Sequence, residues 1–163
     1  MRKFFACYLL SFFLLGVYAQ EITREAPESS DSVINIELST GSSVSYSIGD
    51  RGPAGGIVFF SGENSRLELS EVLGFHSWES AKNAAQNYRG GGFSDWRLPT
   101  KDELNLIYQN LRRKNLGALG NDIYWSSTEN DSSSAWYQSL GNGIQRSGNI
   151  RSFSLCVRAV RAF

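Results

Sequence analysis

The sequence predicts an α+β domain, and three observations carry that prediction. Residues 77–88 and 100–111 repeat apolar side chains at helical spacing behind helix-start signals. Short runs ahead of the first helix alternate apolar and polar residues, as half-buried strands do. The last third, from Tyr124 onward, has no helical period and interleaves short aromatic or aliphatic runs with polar turns. With 163 residues, the chain can build one domain with a substantial core but not two comfortable ones.

The amino terminus, MRKFFACYLLSFFLLGVYAQ, starts basic at Arg2 and Lys3 and runs apolar from Phe4 to Val17. Val17-Tyr18-Ala19 then offers small residues at the two positions a signal peptidase reads, so residues 1–19 are expected to be a cleaved signal peptide. An uncleaved anchor would need a longer apolar run. Cys7 lies too early in that run to become a lipid-modified start. Residues 20–32 are polar and mostly acidic, a flexible leader to a single domain over 33–163. After cleavage, fourteen Lys and Arg face sixteen Asp and Glu, a net charge near −2. That balance excludes a nucleic-acid partner, and no membrane span remains. The expected location is exported: periplasm, outer surface or extracellular. One cysteine, Cys156, is left, so no internal disulfide forms and stability comes from core burial. Its apolar neighbours in SLCVRAV mark it as a core thiol.

Ile34, Ile36 and Leu38, then Val44, Tyr46 and Ile48, alternate with polar residues around Ser39-Thr40-Gly41-Ser42, which predicts a hairpin. In IGDRGPAGGIVFF, Gly49, Gly52 and Gly55 are spaced by three, too briefly for a collagen helix. The same run lacks the lysine and helix of a phosphate-cradling loop. It reads as tight turns before a strand at Ile57–Phe60. Ser77 opens the first helix, whose stripe is Trp78, Ala81, Ala85 and Tyr88, and RGGGF closes it. His76, the only histidine, has neither a second histidine nor a cysteine pair with which to hold a metal.

The stretch GFSDWRLPTKDEL, residues 92–104, combines a loop corner with a helix start. Thr100 and Glu103 form a capping-box pattern, and Pro99 sits just outside it. Leu104, Ile107, Tyr108 and Leu111 make the stripe. Arg112, Arg113 and Lys114 suit the last turn, with Asn115 and Gly117 as stops. Asp102 and Glu103 are adjacent, face different ways and cannot act as an acid–base pair. Trp96 and Arg97 are read as fixing the loop before the helix. Downstream, Tyr124-Trp125, Ala135-Trp136-Tyr137, Ile144 and Cys156–Val160 are the strand candidates. Asn130-Asp131, Gly141-Asn142-Gly143 and Ser147-Gly148-Asn149 are the turn candidates.

The ordered set IGDRGPAGGIVFF, SWESAKNAA, GFSDWRLPTKDELNLIYQNL, YWSSTE, AWYQ and VRAVRAF resembles the Lcl C-terminal domain family from about Ile48 to Phe163. The namesake is the end domain of a bacterial collagen-like adhesin. The resemblance implies a C-type-lectin-like fold: two helices packed on a twisted, mostly antiparallel sheet, with a loop-rich C-terminal half. WRLPT also recurs in the related formylglycine-generating enzymes, which rely on active-site cysteines, whereas the expected mature chain has only Cys156. The carboxylate-bearing triplets of calcium-dependent sugar lectins do not occur either. No catalytic residue, metal or cofactor is therefore expected.

The expected function is a non-enzymatic, adhesin-like module binding a glycan or a host or cell-surface protein. A structural envelope protein acting through self-assembly, as a homo-trimer by analogy with the adhesin, is the alternative. Candidate ligand-binding residues are Trp125, Trp136 and Tyr137 for apolar faces and Asn142, Gln145 and Arg146 for polar contacts.

Overall fold

The computed structural model describes residues 44–150 and 152–163. The expected signal, the leader and the first strand of the amino-terminal hairpin lie outside the described residues. Six strands form one mixed sheet: β1 (Ile57–Ser61), β2 (Arg66–His76), β3 (Ile123–Asp131), β4 (Ser134–Ser139), β5 (Gln145–Asn149) and β6 (Leu155–Ala162). Their order is β1-β2-β6-β3-β4-β5, and only β3 with β6 is parallel. Two helices, α1 (Trp78–Asn87) and α2 (Lys101–Asn110), pack on the sheet. The α+β expectation therefore holds. Among the described residues, no helix is long and apolar enough to cross a membrane.

Strand alternation divides the core in two. On one face, Val157, Ala159 and Trp125 pack against Trp78, Ala81 and Ala85 of α1, with Trp96 and Leu98 alongside. On the other, Cys156, Val160, Tyr124 and Leu69 pack against Leu104 and Ile107 of α2 and against Leu111. Cys156 is a buried free thiol. Two indoles tie the start of α1 to β3. Trp78 Nε1 donates to the Ser126 carbonyl at 2.7 Å, and Trp125 Nε1 donates to the His76 carbonyl at 2.9 Å.

The WRLPT stretch is a structural corner. Arg97 exchanges two backbone hydrogen bonds with Val160, which stitches the loop to β6. Its guanidinium grips Glu103 at 2.7 and 2.6 Å, and Trp96 Nε1 donates to the Gly90 carbonyl at 3.1 Å. The capping box forms: Thr100 Oγ1 accepts from the Glu103 N–H, and Glu103 Oε2 accepts from the Thr100 N–H. Glu103 therefore serves the cap and the arginine together.

Several local expectations change. Val44, Tyr46 and Ile48 form no strand, because a turn at 47–50 takes their place, held by Ser47 N–H donating to Asp50 Oδ2. Ser77 is the first-turn boundary of α1, but its hydroxyl makes no capping bond. Arg112–Lys114 form a separate 3-10 turn beyond α2, ended by Asn115 in the left-handed region at φ 55°. Asn130 and Asp131 close β3, and the turn proper is one step later. Ser147, Gly148 and Asn149 belong to β5, whereas Ile144 falls in the turn before it. The longest strand, β2, carries no clean alternation in sequence because its register shifts twice against β6.

Strand β2 also holds the most buried charge in the molecule's described part. Glu68 is 0 % exposed and lies directly across from Arg161 on β6. Glu68 Oε1 accepts from Arg161 Nη1 at 2.8 Å and from the Ala54 N–H at 3.2 Å, and Oε2 accepts from the Gly56 N–H at 3.0 Å. Arg161 donates its other nitrogens to Asp95 at 2.8 and 3.2 Å, and its guanidinium lies 3.8 Å over the Phe93 ring. A Cβ on Gly56 would come within 2.9 Å of Glu68 Oε2 and of the Leu69 carbonyl. The glycine run is thus there for close approach to this carboxylate.

Removing one partner of a buried ion pair strands the other. Glu68→Ala is expected to lower the unfolding free energy by about 3–5 kcal/mol in urea denaturation.

Two carboxyls also predict acid sensitivity. Hydrogen bonding to Arg161 holds Asp95 below the usual carboxylate value. Burial alone would raise Glu103, but Arg97 and the Thr100 cap outweigh it and bring it down. Both groups bind fewer protons when folded than when unfolded. Their stabilisation is full above the ordinary carboxylate pKa of about 4 and is lost as pH falls through their lower folded values. Melting temperature measured from pH 6 to pH 2 should drop in that lower window, and more weakly in Glu103→Gln.

Candidate functional site

Helix α1 packs against β2, β6 and β3, and α2 against β1, β3 and β4. Neither covers the outer part of the β3–β4–β5 sheet on the α1 side. The pairings Ile123 with Ser139 and Tyr137 with Arg146 bring these residues to that one face. There they line a concavity of about 210 Å³ together with Asn142 and Ile144.

Of the six residues picked from sequence, three therefore meet in one cavity: Tyr137, Asn142 and Arg146. The Tyr137 ring is half-buried, edge-on to Trp125 at 6.0 Å and tilted against Phe153 at 6.1 Å. Arg146 is exposed, and its side chain makes no hydrogen bond or ion pair with any of the described residues. Asn142 uses its side-chain oxygen to accept from the Ile144 N–H at 3.0 Å, an Asx-type closure that leaves its amide N–H groups outward.

The other three lie elsewhere. Trp125 is 0 % exposed in the α1-side core and has no face for a ligand. Expected to offer an apolar face, it is instead turned inward by strand alternation. Trp136 points to the opposite side of β4, where Lys101 Nζ sits 3.3 Å from its ring centroid. Gln145 also faces α2, donating to the Lys101 carbonyl at 2.8 Å and to Gln138 Oε1 at 3.2 Å. The exposed Ile123 and Ile144, 39 % and 46 % accessible, were missed as site residues. The sequence signal for Ile123 was its place two residues before Trp125, on the same face at the open end of the strand.

The turn that carries Asn142 is rigidly held. Gln138 is buried and donates to the Gly143 carbonyl at 3.0 Å. Gly143 N–H returns to the Ser139 carbonyl at 2.8 Å, and Leu140 N–H donates to Asp122 at 3.0 Å. Gly143 has φ 77°, and a Cβ there would run into the Tyr108 ring. Among the described residues, no group of three or more His, Cys, Asp or Glu could hold a metal ion. The site has a guanidinium, amide and hydroxyl donors, a phenol edge and two aliphatic surfaces. It can bind, but it holds no nucleophile with a base beside it.

A family model, that of the Lcl C-terminal domain, matches residues 61–161. The chain belongs to the Lcl C-terminal domain family. Among curated proteins, none matches. In this Lcl C-terminal domain, the matched span holds both helices, β2 to β5, β6 up to Arg161 and every residue lining the Tyr137–Arg146 cavity.

Gly143→Ala combines a left-handed backbone with a collision against Tyr108. We expect it to cost about 1–3 kcal/mol of stability by denaturant titration. The amide resonances of Asn142 and Ile144 should shift more than those of the two cores.

Proposed function

We propose that this chain is an exported, non-enzymatic, adhesin-like ligand-binding module on a C-type-lectin-like fold. Its ligand is a glycan or a protein surface, met by the open face of β3, β4 and β5. The single observation that carries this reading is the cavity of Tyr137, Asn142 and Arg146, flanked by exposed Ile123 and Ile144. An unpaired guanidinium beside an aromatic edge and exposed aliphatic side chains is the mixture found at recognition surfaces. Planar and aliphatic groups offer apolar contact to sugar C–H faces or to side chains, while Arg146 and Asn142 fix orientation.

The non-enzymatic reading is supported by the thiol. Cys156 is buried and its pKa is pushed up by that burial, the opposite of an activated cysteine. A C-type-lectin-like assignment is supported by the two helices on one mixed sheet and by the turn-rich second half.

Binding should be read on a glycan array and on immobilised cell-surface proteins, each with and without a chelator. Arg146→Ala is expected to weaken the captured ligand by about tenfold, one lost charge-assisted contact, and the chelator to change nothing. Unchanged binding by Arg146→Ala and Tyr137→Ala together would reject this face.

A further inference from the structure

A second cavity, of about 220 Å³, lies away from the β3–β4–β5 face and shares no residue with it. Its wall includes Arg51, Arg158, Glu71 and Tyr88, over Ile57 and Leu69. Two guanidiniums line it, and neither is in an ion pair among the described residues. Arg51 Nη1 donates to the Gly55 carbonyl at 2.8 Å, and Arg158 Nη1 donates to the Ser70 carbonyl at 3.0 Å. Both backbone contacts aim the side chains and leave their charge uncompensated. Arg158 Nε is moreover buried with no hydrogen-bond partner among the described residues. That Nε is closed off from the cavity, so the donor Arg158 can offer a guest is its outer Nη2, which makes no hydrogen bond among the described residues.

The opposite charge is also present. Glu71 is exposed and accepts a hydrogen bond from the Tyr88 hydroxyl at 3.2 Å. Burial, and then Glu71 itself, pushes the Tyr88 pKa up, so the phenol stays a neutral donor. Glu71 is held in place but has no cation of its own among the described residues. Ala118 on the rim has φ 47°, a backbone region non-glycine residues seldom occupy, which is the kind of strain that clusters at ligand sites.

We propose that this cavity is a binding site for a small zwitterion of the α-amino-acid class, its carboxylate on Arg51 and Arg158 and its ammonium on Glu71. Arginine binds planar carboxylates through paired N–H groups, which suits the carboxylate end. A simple dianion would be repelled by Glu71, and a simple cation by the two arginines. Ile57, half-buried at the wall, gives a short aliphatic side chain an apolar contact. The volume falls below the roughly 300 Å³ at which drug-sized pockets begin, which leaves room for a guest of amino-acid size. This site does not depend on the adhesin-like reading of the other face.

The test titrates the full chain with the twenty free amino acids, by calorimetry and by the Nε–Hε resonances of its arginines. At least one amino acid with a short apolar side chain is expected to bind with Kd below about 1 mM and to shift the Arg158 Nε–Hε signal. Its N-acetyl and its methyl-ester forms should each bind about tenfold or more weakly, because each loses one charged end. Arg51→Ala, an exposed position, should weaken binding by a similar factor with the melting temperature unchanged. Glu71→Gln should weaken the free amino acid but not its N-acetyl form. The proposal is overturned if no amino acid binds or moves that signal. It is equally overturned if blocking either end, or Arg51→Ala, leaves affinity unchanged.

Discussion

The hidden contact between Glu68 and Arg161 is the constraint on which the rest of the architecture depends. It is a directly opposed cross-strand pair on β2 and β6, the second and third strands in the sheet order. A charge inside a protein persists only when each lone pair and each donor finds a partner. Here Ala54, Gly56 and Asp95 complete the set, and the Phe93 ring covers the guanidinium. Four separate parts of the chain converge on one pair of side chains: the glycine run, β2, the corner before α2 and the closing strand. Apolar packing could bring these segments together, but it is non-directional and would not fix their relative register. The carboxylate, which accepts from defined N–H groups, does.

The same division of labour recurs across the β3–β4–β5 part of the sheet. Indoles and caps fix the inner sheet, where Trp78 and Trp125 bond to backbone carbonyls of neighbouring elements. Polar side chains fix the outer sheet. Gln138 links β4 to the Gly143 carbonyl, and Gln145 links β5 to the start of α2. What remains unsatisfied is Arg146, the amide end of Asn142 and two exposed isoleucines, gathered on the side no helix covers. Groups without internal partners, held on a rigid frame, are what a binding surface needs.

Helices were the most legible part of the sequence. Thr100 and Glu103 act within four residues of each other, so the capping box can be read locally, and it forms. The corner role of Trp96 and Arg97 was readable for the same reason. Strand β2 was not, because its bulges break the two-residue period that marks a strand, leaving Val72 and Phe75 exposed. Glu68 and Arg161 are 93 residues apart, and nothing local distinguishes either from a surface charge. At the site, Tyr137 and Arg146 were both picked, but their pairing across β4 and β5 is a long-range fact of register. Trp125 was misjudged because one step along a strand reverses the face. Ile144 belongs to the turn, and only its exposure marks it as part of the surface.

If the buried carboxylate fastens the glycine run to the sheet, the Ala54 and Gly56 amides should be as slow to exchange with deuterium as those of β6. Native-state exchange followed residue by residue measures this directly. Protection of both amides near the global unfolding value, collapsing selectively in Glu68→Gln, is the result the account requires. Exchange of Ala54 and Gly56 at open-loop rates in the unaltered chain would contradict it.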